Sequence, residues 1–175
     1  EAYLKYLSFY IQKFNIPTDN YRNVTLLSET INKEKTINQA KIMQDSQNLL
    51  LNLQSYMSAK ALKADMDTLI AKATLFKGQK LSPFSFYSYL KDLADEHLKD
   101  KIADYPDLLD FIDYLAKVNS LDSTKLFTEL EDLSYEVKQK LARNEEEKIL
   151  TQALRNIKFL EGFFNLKISN EGLDY

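Results

Sequence analysis

The pattern of hydrophobic and polar positions along the chain predicts helices almost throughout. Apolar residues recur at spacings of three and four, the period of an amphipathic α-helix, whereas the alternation typical of strands is missing. Only three glycines and three prolines interrupt the 175 residues, and most of the other residue types favour helix. We therefore predict an all-α multi-helix bundle of about six or seven helices, forming a single helical domain over residues 1-175.

Turn and capping residues divide the chain into three helical subregions. Gly78 stands at the position expected for a left-handed C-terminal helix cap. Pro83 and Pro106 each stand at a helix start, where the fixed φ of proline is favourable. The subregions are N-terminal helices 1-78, proline-initiated helices 82-120 and a C-terminal antiparallel helical hairpin 122-168.

The first subregion leaves two boundaries open. Its first helix spans about residues 2–14 and is apolar on most sides, and the next helix starts near Asn20 or Asn23. Over residues 37–76 the periodic positions fit one long rod, or two helices broken near Ser58, whose hydroxyl would then cap the second.

The hairpin subregion predicts two amphipathic helices, the first capped by Asp122 or Ser123 and the second by Asn144. The short turn between them favours an antiparallel pair whose apolar faces meet in layers. Removing Leu133 or Ile157 would then cost roughly 2–5 kcal/mol if both are buried. The predicted layers are Leu141 with Leu150, Val137 with Leu154, Leu133 with Ile157, Leu130 with Leu160, and Leu126 with Phe164.

Composition narrows the chemistry that such a bundle can carry. The chain has no cysteine, one histidine and three scattered glycines. It therefore lacks the ligands of a thiolate zinc site, the second histidine of a dimetal bundle and the glycines of a phosphate loop. We predict no catalytic residue, no metal ligand and no cofactor. No stretch has the roughly twenty apolar residues of a membrane span.

The beginning of the chain and its residue usage give two weaker indications. Because it starts at Glu1 and not at a methionine, we expect an excerpt of a longer protein. Richness in lysine, asparagine, isoleucine and tyrosine is typical of AT-rich microbial genomes. No pattern assigns a compartment, for which the cytoplasm is the default.

Charge is divided unevenly along the chain. Residues 1–88 carry eleven basic against seven acidic residues, giving +4, whereas residues 89–175 carry twelve against nineteen, giving −7. Asp92, Glu96 and Asp100 follow at i, i+4 and i+8, which places three repelling carboxylates on one helix stripe. Such a stripe fits a cationic partner surface or a weakly bound divalent ion. The alternative is a solvated face relieved by neighbouring lysines.

Aromatic side chains crowd the first helix. Tyr3, Tyr6, Tyr10 and Phe14 lie within thirteen residues. Tyrosine combines an apolar ring with a polar hydroxyl and is enriched at protein interfaces. The same rings are good core residues, so a buried aromatic helix is the alternative. The predicted partner-binding residues are Tyr3, Tyr6, Tyr10, Phe14, Asp92, Glu96 and Asp100.

These features favour a non-catalytic helical protein-interaction or structural domain of a larger protein. Its contacts would be the aromatic face of the first helix and the acidic surface over residues 92–136. The partner would be a protein, in the same chain or another, and the oligomeric state stays open.

Two other functions are kept as alternatives. One is a helical small-ligand binder or enzyme with a pocket near His97, where Asp100 would steer the imidazole as a general base. The histidine at a core edge is the structural interpretation of the same residue. The other is a weak nucleic-acid binder, which the charge distribution disfavours. Its contacts would be Lys60, Lys63, Lys72, Lys77 and Lys80.

Overall fold

The computed structural model describes residues 2–171, without the side chains of residues 100, 163 and 165–171. This part of the chain is all-helical and contains no strand, which confirms the predicted fold class. It holds eight α-helices, more than the six or seven expected, because residues 37–76 form two helices. The helices are α1 (Ala2–Phe14), α2 (Arg22–Glu34), α3 (Gln39–Ala59), α4 (Lys63–Lys77), α5 (Pro83–His97), α6 (Pro106–Asn119), α7 (Ser123–Leu141) and α8 (Glu145–Glu171), with a 3₁₀ helix (Lys99–Asp104) between α5 and α6.

Side-chain caps start three of the helices, as predicted. Ser82 accepts a hydrogen bond of 3.1 Å from the backbone N–H three residues on. Asp122, and not Ser123, does the same for α7 at 3.0 Å, and Asn144 does so for α8 at 2.8 Å. Each cap satisfies an N–H group that the first turn of a helix leaves without a partner.

The link between α3 and α4 differs from the prediction. α3 continues to Ala59, so Ser58 lies inside its last turn and does not cap α4, whose N-cap Leu62 makes no side-chain hydrogen bond. Ala61 is left-handed, with φ 55°, and the N–H of Leu62 returns to the carbonyl of Met57 at 2.9 Å. This Schellman ending closes α3 through backbone hydrogen bonds alone.

α4 ends one residue later than predicted. Gly78 has φ −80°, and the left-handed residue is Gln79 with φ 57°. The N–H of Lys80 then bonds to the carbonyl of Leu75 at 2.8 Å. The prediction of a left-handed Gly78 is therefore wrong, because the backbone reverses at the following residue.

The chain divides into two compact units, and the division falls inside α2. The terminal unit combines Glu1–Thr25 with Asp122–Tyr175, and the central unit is Leu26–Leu121. The single domain over residues 1-175 stays a prediction.

The central unit has a leucine-rich core between α3, α5 and α6. Leu49 and Leu53 on α3 are fully buried, as are Leu90 on α5 and Leu108 on α6. Phe86 stacks on the ring of Phe76 from α4, with the ring centroids 4.3 Å apart.

The terminal unit has a smaller core between α1 and α7. Leu7 of α1 packs against Leu133 and Val137 of α7, and all three side chains are almost completely buried. Ile16 and Val24, which flank the turn between α1 and α2, complete this core. The apolar stripe of α7 is thus covered by α1.

The predicted layers between α7 and α8 are wrong for this reason. Leu133 and Val137 are buried as expected, but against α1. Their predicted partners, Ile157 and Leu154, are 51% and 54% exposed. The predicted loss of stability on removing Leu133 or Ile157 assumed that both side chains are buried. Only Leu133 is buried.

A carboxylate from α7 holds the start of α2. Glu129 accepts hydrogen bonds from the backbone N–H of Asn23 at 2.6 Å and of Val24 at 3.1 Å. It also accepts one from the Asn23 side-chain Nδ2 at 2.7 Å, and the Asn23 side-chain Oδ1 accepts from the Asp122 backbone N–H at 3.0 Å. Glu129 thereby satisfies the free N–H groups and the partial positive charge of a helix start.

We expect Leu53→Ala to destabilise the chain by about 2–5 kcal/mol, because it leaves a cavity among fully buried leucines. Leu51→Ala, on the same helix at a position 60% exposed, should change stability by no more than about 0.5 kcal/mol. Urea unfolding followed by circular dichroism measures both. Equal losses would contradict the core assignment.

Glu129→Ala should cost about 1–3 kcal/mol, because it leaves the N–H groups at the start of α2 without their acceptor. The matched control is Glu131→Ala, which removes an exposed carboxylate from the same helix. The same urea unfolding experiment compares them, and a Glu129 variant as stable as the control would exclude the capping role.

Candidate protein-interaction surface

α8 is attached to α7 through polar side chains. Gln139 donates a hydrogen bond of 3.1 Å to the backbone carbonyl of Lys148, and Tyr135 donates its hydroxyl proton to the Gln152 side chain. Arg155 pairs with Asp132 and lies over the ring of Tyr135, 4.4 Å from its centroid. The three positions used on α8 are 148, 152 and 155, which form one stripe along the helix.

Four large apolar side chains of α8 lie on the opposite side, whereas Phe159, 74% exposed, follows the stripe that contacts α7. At about 100° per residue, the positions 150, 154, 157 and 160 centre roughly 180° from the stripe that contacts α7. None of the described side chains of α8 is buried. We call this outward face the α8 apolar stripe: Leu150, Leu154, Ile157 and Leu160, which are 60%, 54%, 51% and 50% exposed.

Sequence reasoning assigned these residues to the hairpin interior and so missed them as surface. The sequence does indicate that α8 has an exposed apolar side. α7 carries only one apolar stripe, and one stripe cannot pack against both α1 and α8. The opposite side of α7 holds Asp132, Tyr135 and Gln139 at spacings of three and four, which matches the polar stripe of α8.

A polar cleft of about 480 Å³ opens beside this attachment. Its lining includes Tyr21, whose hydroxyl donates a hydrogen bond of 2.8 Å to Glu136. Burial and this hydrogen bond raise the pKa of Tyr21 to about 12, since an ionised phenol would lose the bond and repel the carboxylate. The cleft is lined by Asn20, Tyr21, Asp132, Tyr135, Glu136, Gln139 and Arg155.

The aromatic residues predicted on α1 divide between surface and core. Tyr3 and Tyr6 are exposed, whereas Tyr10 and Phe14 are half-buried and pack against the core of the terminal unit. The rings form a ladder, with centroid distances of 6.3 Å for Tyr3–Tyr6, 4.8 Å for Tyr6–Tyr10 and 5.6 Å for Tyr10–Phe14. Only the outer half of the ladder is open to a partner.

The acidic residues predicted on α5 are at the surface. Asp92 and Glu96 are exposed, and the side chain of Asp100 lies outside the described residues. Between them, Asp95 pairs with Lys91 at 2.6 Å. The three partner-binding assignments on this stripe stay predictions.

Several acidic residues that follow Pro106 are paired within the central unit. Lys33 of α2 lies 3.2 Å from Asp110 and 2.6 Å from Asp113 of α6. The hydrogen bond with Lys33 lowers the pKa of Asp113 below its usual value. This part of the acidic surface serves to join two helices.

His97 lies at the edge of the central core. Its side chain is 10% exposed, and Nε2 lies 3.1 Å from Oδ2 of Asp65 on α4. That distance suits an ion pair when the imidazole is protonated, but the atoms are not aligned for a hydrogen bond. Tyr56 stands beside the imidazole at a ring distance of 5.8 Å. The described carboxylate beside His97 is thus Asp65, where the sequence suggested Asp100.

The lysines over residues 60–80 do not share one helix face. Lys63 and Lys72 are nine positions apart on α4, which places them on opposite sides of the helix. The ammonium group of Lys72 lies 4.8 Å above the ring of Tyr89. Nucleic-acid binding through these lysines stays a prediction without a specific contact surface.

Within the described part of the chain, no cluster of three or more histidines and acids is arranged to hold a metal ion. No described helix is both long and apolar enough to span a membrane. Comparison of the chain with protein-family models, with curated proteins and with solved structures finds no match. The fold and this surface define an all-α protein with an outward-facing apolar helix stripe.

The raised pKa of Tyr21 gives a pH-dependent contribution to stability. The folded state holds the phenolic proton more tightly than the unfolded state, so this contribution is complete below pH 10 and is lost as the pH rises towards 12. We expect Tyr21→Phe to lower the free energy of unfolding at pH 8.5 and to have a smaller effect at pH 11.5.

Urea unfolding at the two pH values tests this expectation. Tyr3→Phe, at an exposed position on α1, controls for the general effect of alkali. A Tyr21→Phe effect that is the same at both pH values would exclude the linkage.

Proposed function

We propose that this chain is a non-catalytic helical protein-interaction module whose main contact surface is the α8 apolar stripe. One observation supports the proposal: α8 uses its polar stripe for attachment and turns its leucines and isoleucine outward. Contiguous exposed apolar patches of several hundred Å² are uncommon on soluble monomers and mark contact sites.

The partner chemistry that fits this surface is an amphipathic helix with a leucine-rich face. The stripe is straight and, from position 150 to position 160, about 15 Å long. Side chains at spacings of three and four are those that interlock between two packed helices. When an amphipathic helix binds to a helical surface, its anchoring side chains recur at these same spacings.

A membrane surface fits less well. Helices that lie in the membrane interface are rich in lysine and arginine on their polar face, which stays in contact with water and lipid headgroups. Residues 145–164 carry four acidic against three basic residues. Part of the polar face is also occupied by α7.

The residues singled out from the sequence remain as secondary contacts in this proposal. Tyr3 and Tyr6 present exposed rings, and Asp92 and Glu96 present exposed carboxylates. They suit the rim of a partner surface, where aromatic anchors and complementary charge contribute to specificity.

We expect the 175-residue chain to bind a designed 21-residue amphipathic helix of unrelated sequence with leucine at its a and d positions. Fluorescence anisotropy of the fluorescein-labelled peptide, with the chain titrated into it, measures the binding. Ile157→Asp should weaken it at least tenfold, because the partner would have to bury a carboxylate.

Two controls make the result specific. A scrambled peptide of the same composition should not bind, and Leu51→Asp, at an exposed apolar position in the central unit, should leave binding unchanged. Circular dichroism should show folded protein for each variant. Failure of the amphipathic peptide to bind, or equal binding by the Ile157 variant, would exclude this function.

A further inference from the structure

We propose that the helix that covers the α8 apolar stripe is α8 of a second copy of this chain, in an antiparallel pair with its two-fold axis at Ile157. The inference rests on the proposed function and specifies its partner. It is carried by the spacing of the stripe, by charge and by the area that the stripe exposes.

The spacing of the stripe is the same in both directions from Ile157. Leu154 and Leu160 stand three residues on either side, and Leu150 and Phe164 stand seven residues on either side. A two-fold interface requires that residue i contacts residue j and that j contacts i. Two antiparallel copies therefore place Ile157 opposite Ile157, Leu154 opposite Leu160 and Leu150 opposite Phe164.

A parallel pair in register uses the same surface but is disfavoured by charge. It places each residue of the stripe opposite its own copy, so the apolar contacts do not distinguish the two directions. It also brings the first turn of α8, with its acidic residues Glu145, Glu146 and Glu147, next to the same turn of the other copy. The antiparallel pair separates these turns by about 33 Å, so the repulsion between like charges is relieved.

The exposed area suits a self-association of modest strength. Five large apolar side chains on the outward side of α8 are half exposed or more: Leu150, Leu154, Ile157, Leu160 and Phe164. With an exposed area on the order of 100 Å² for each side chain, they present about 500 Å² of apolar surface per copy. This is below the roughly 800 Å² per partner of a standard specific interface. We therefore expect a weak dimer, with a dissociation constant on the order of micromolar.

The attachment of α8 leaves this side of the helix accessible. Gln139, Tyr135 and Asp132 reach α8 from the side opposite to the stripe. A second copy can therefore dock without displacing α7, and the folded helix pays little conformational entropy on binding.

Sedimentation equilibrium of the full 175-residue chain over about 1–200 μM tests the self-association. We expect a monomer–dimer equilibrium, and Ile157→Asp should raise its dissociation constant at least 100-fold because two carboxylates would meet at the axis. Leu51→Asp is the matched control and should dimerise normally. A monomer at 200 μM, or a dimer unaffected by Ile157→Asp, would overturn the inference.

The absence of cysteine from the sequence allows a test of direction. In the antiparallel pair, Ile157→Cys lies at the two-fold axis. It should form a disulfide with the same residue of the second copy under mild oxidation. Leu150→Cys lies about 21 Å, measured along the helix axis, from the same residue of the second copy. It should not cross-link, since a disulfide needs Cα atoms within about 7 Å. Equal cross-linking of both variants would indicate a parallel pair and contradict the proposal.

Binding through the α8 apolar stripe and self-association of the chain can be excluded separately. A monomeric chain that binds the designed peptide through Ile157 retains the proposed function, and only the identity of the partner is wrong. A monomeric chain that binds no peptide loses both. Co-sedimentation of a monomeric chain with phosphatidylcholine–phosphatidylserine vesicles, abolished by Ile157→Asp, would replace the protein partner by a membrane.

Discussion

The terminal unit depends on a constraint in α7, which has one apolar stripe but contacts two helices, α1 and α8. α1 takes the apolar stripe and buries Leu133 and Val137. α8 must then meet the polar side of α7, where Asp132 and Tyr135 hold Arg155. Because α8 is amphipathic, turning its polar side inward turns its apolar side outward. The candidate interaction surface is a direct consequence of which helix covers the apolar stripe of α7.

Charged residues in both units stabilise helix contacts that the charge pattern alone does not indicate. Glu129 caps the start of α2 from more than a hundred positions away, and Lys33 joins α2 to α6 through Asp110 and Asp113. A carboxylate that meets an unsatisfied helix N-terminus gains charge-assisted hydrogen bonds. The acidic excess over residues 92–136 is therefore partly structural, and the exposed remainder on α5 is smaller than composition suggests.

In the proposed interaction, α8 is already helical and turned outward before a partner binds. Its attachment through exposed polar contacts contributes little to stability, while its apolar face stays ready for a partner without a folding step. The exposed rings of Tyr3 and Tyr6 and the exposed carboxylates of Asp92 and Glu96 are the secondary contacts of this proposal.

The sequence by itself determined the helical class and most helix boundaries, because period and capping are local properties. Ser82, Asp122 and Asn144 cap helices within three residues of themselves. A break between α3 and α4 was one of two predicted alternatives. The left-handed residues Ala61 and Gln79 were not predicted, since backbone hydrogen bonds set them without a signature residue. Only the tertiary structure decided which helix covers which stripe. Ile157 has the same amphipathic context whether buried or exposed, and competition between distant helices for one apolar face settled its place on the surface.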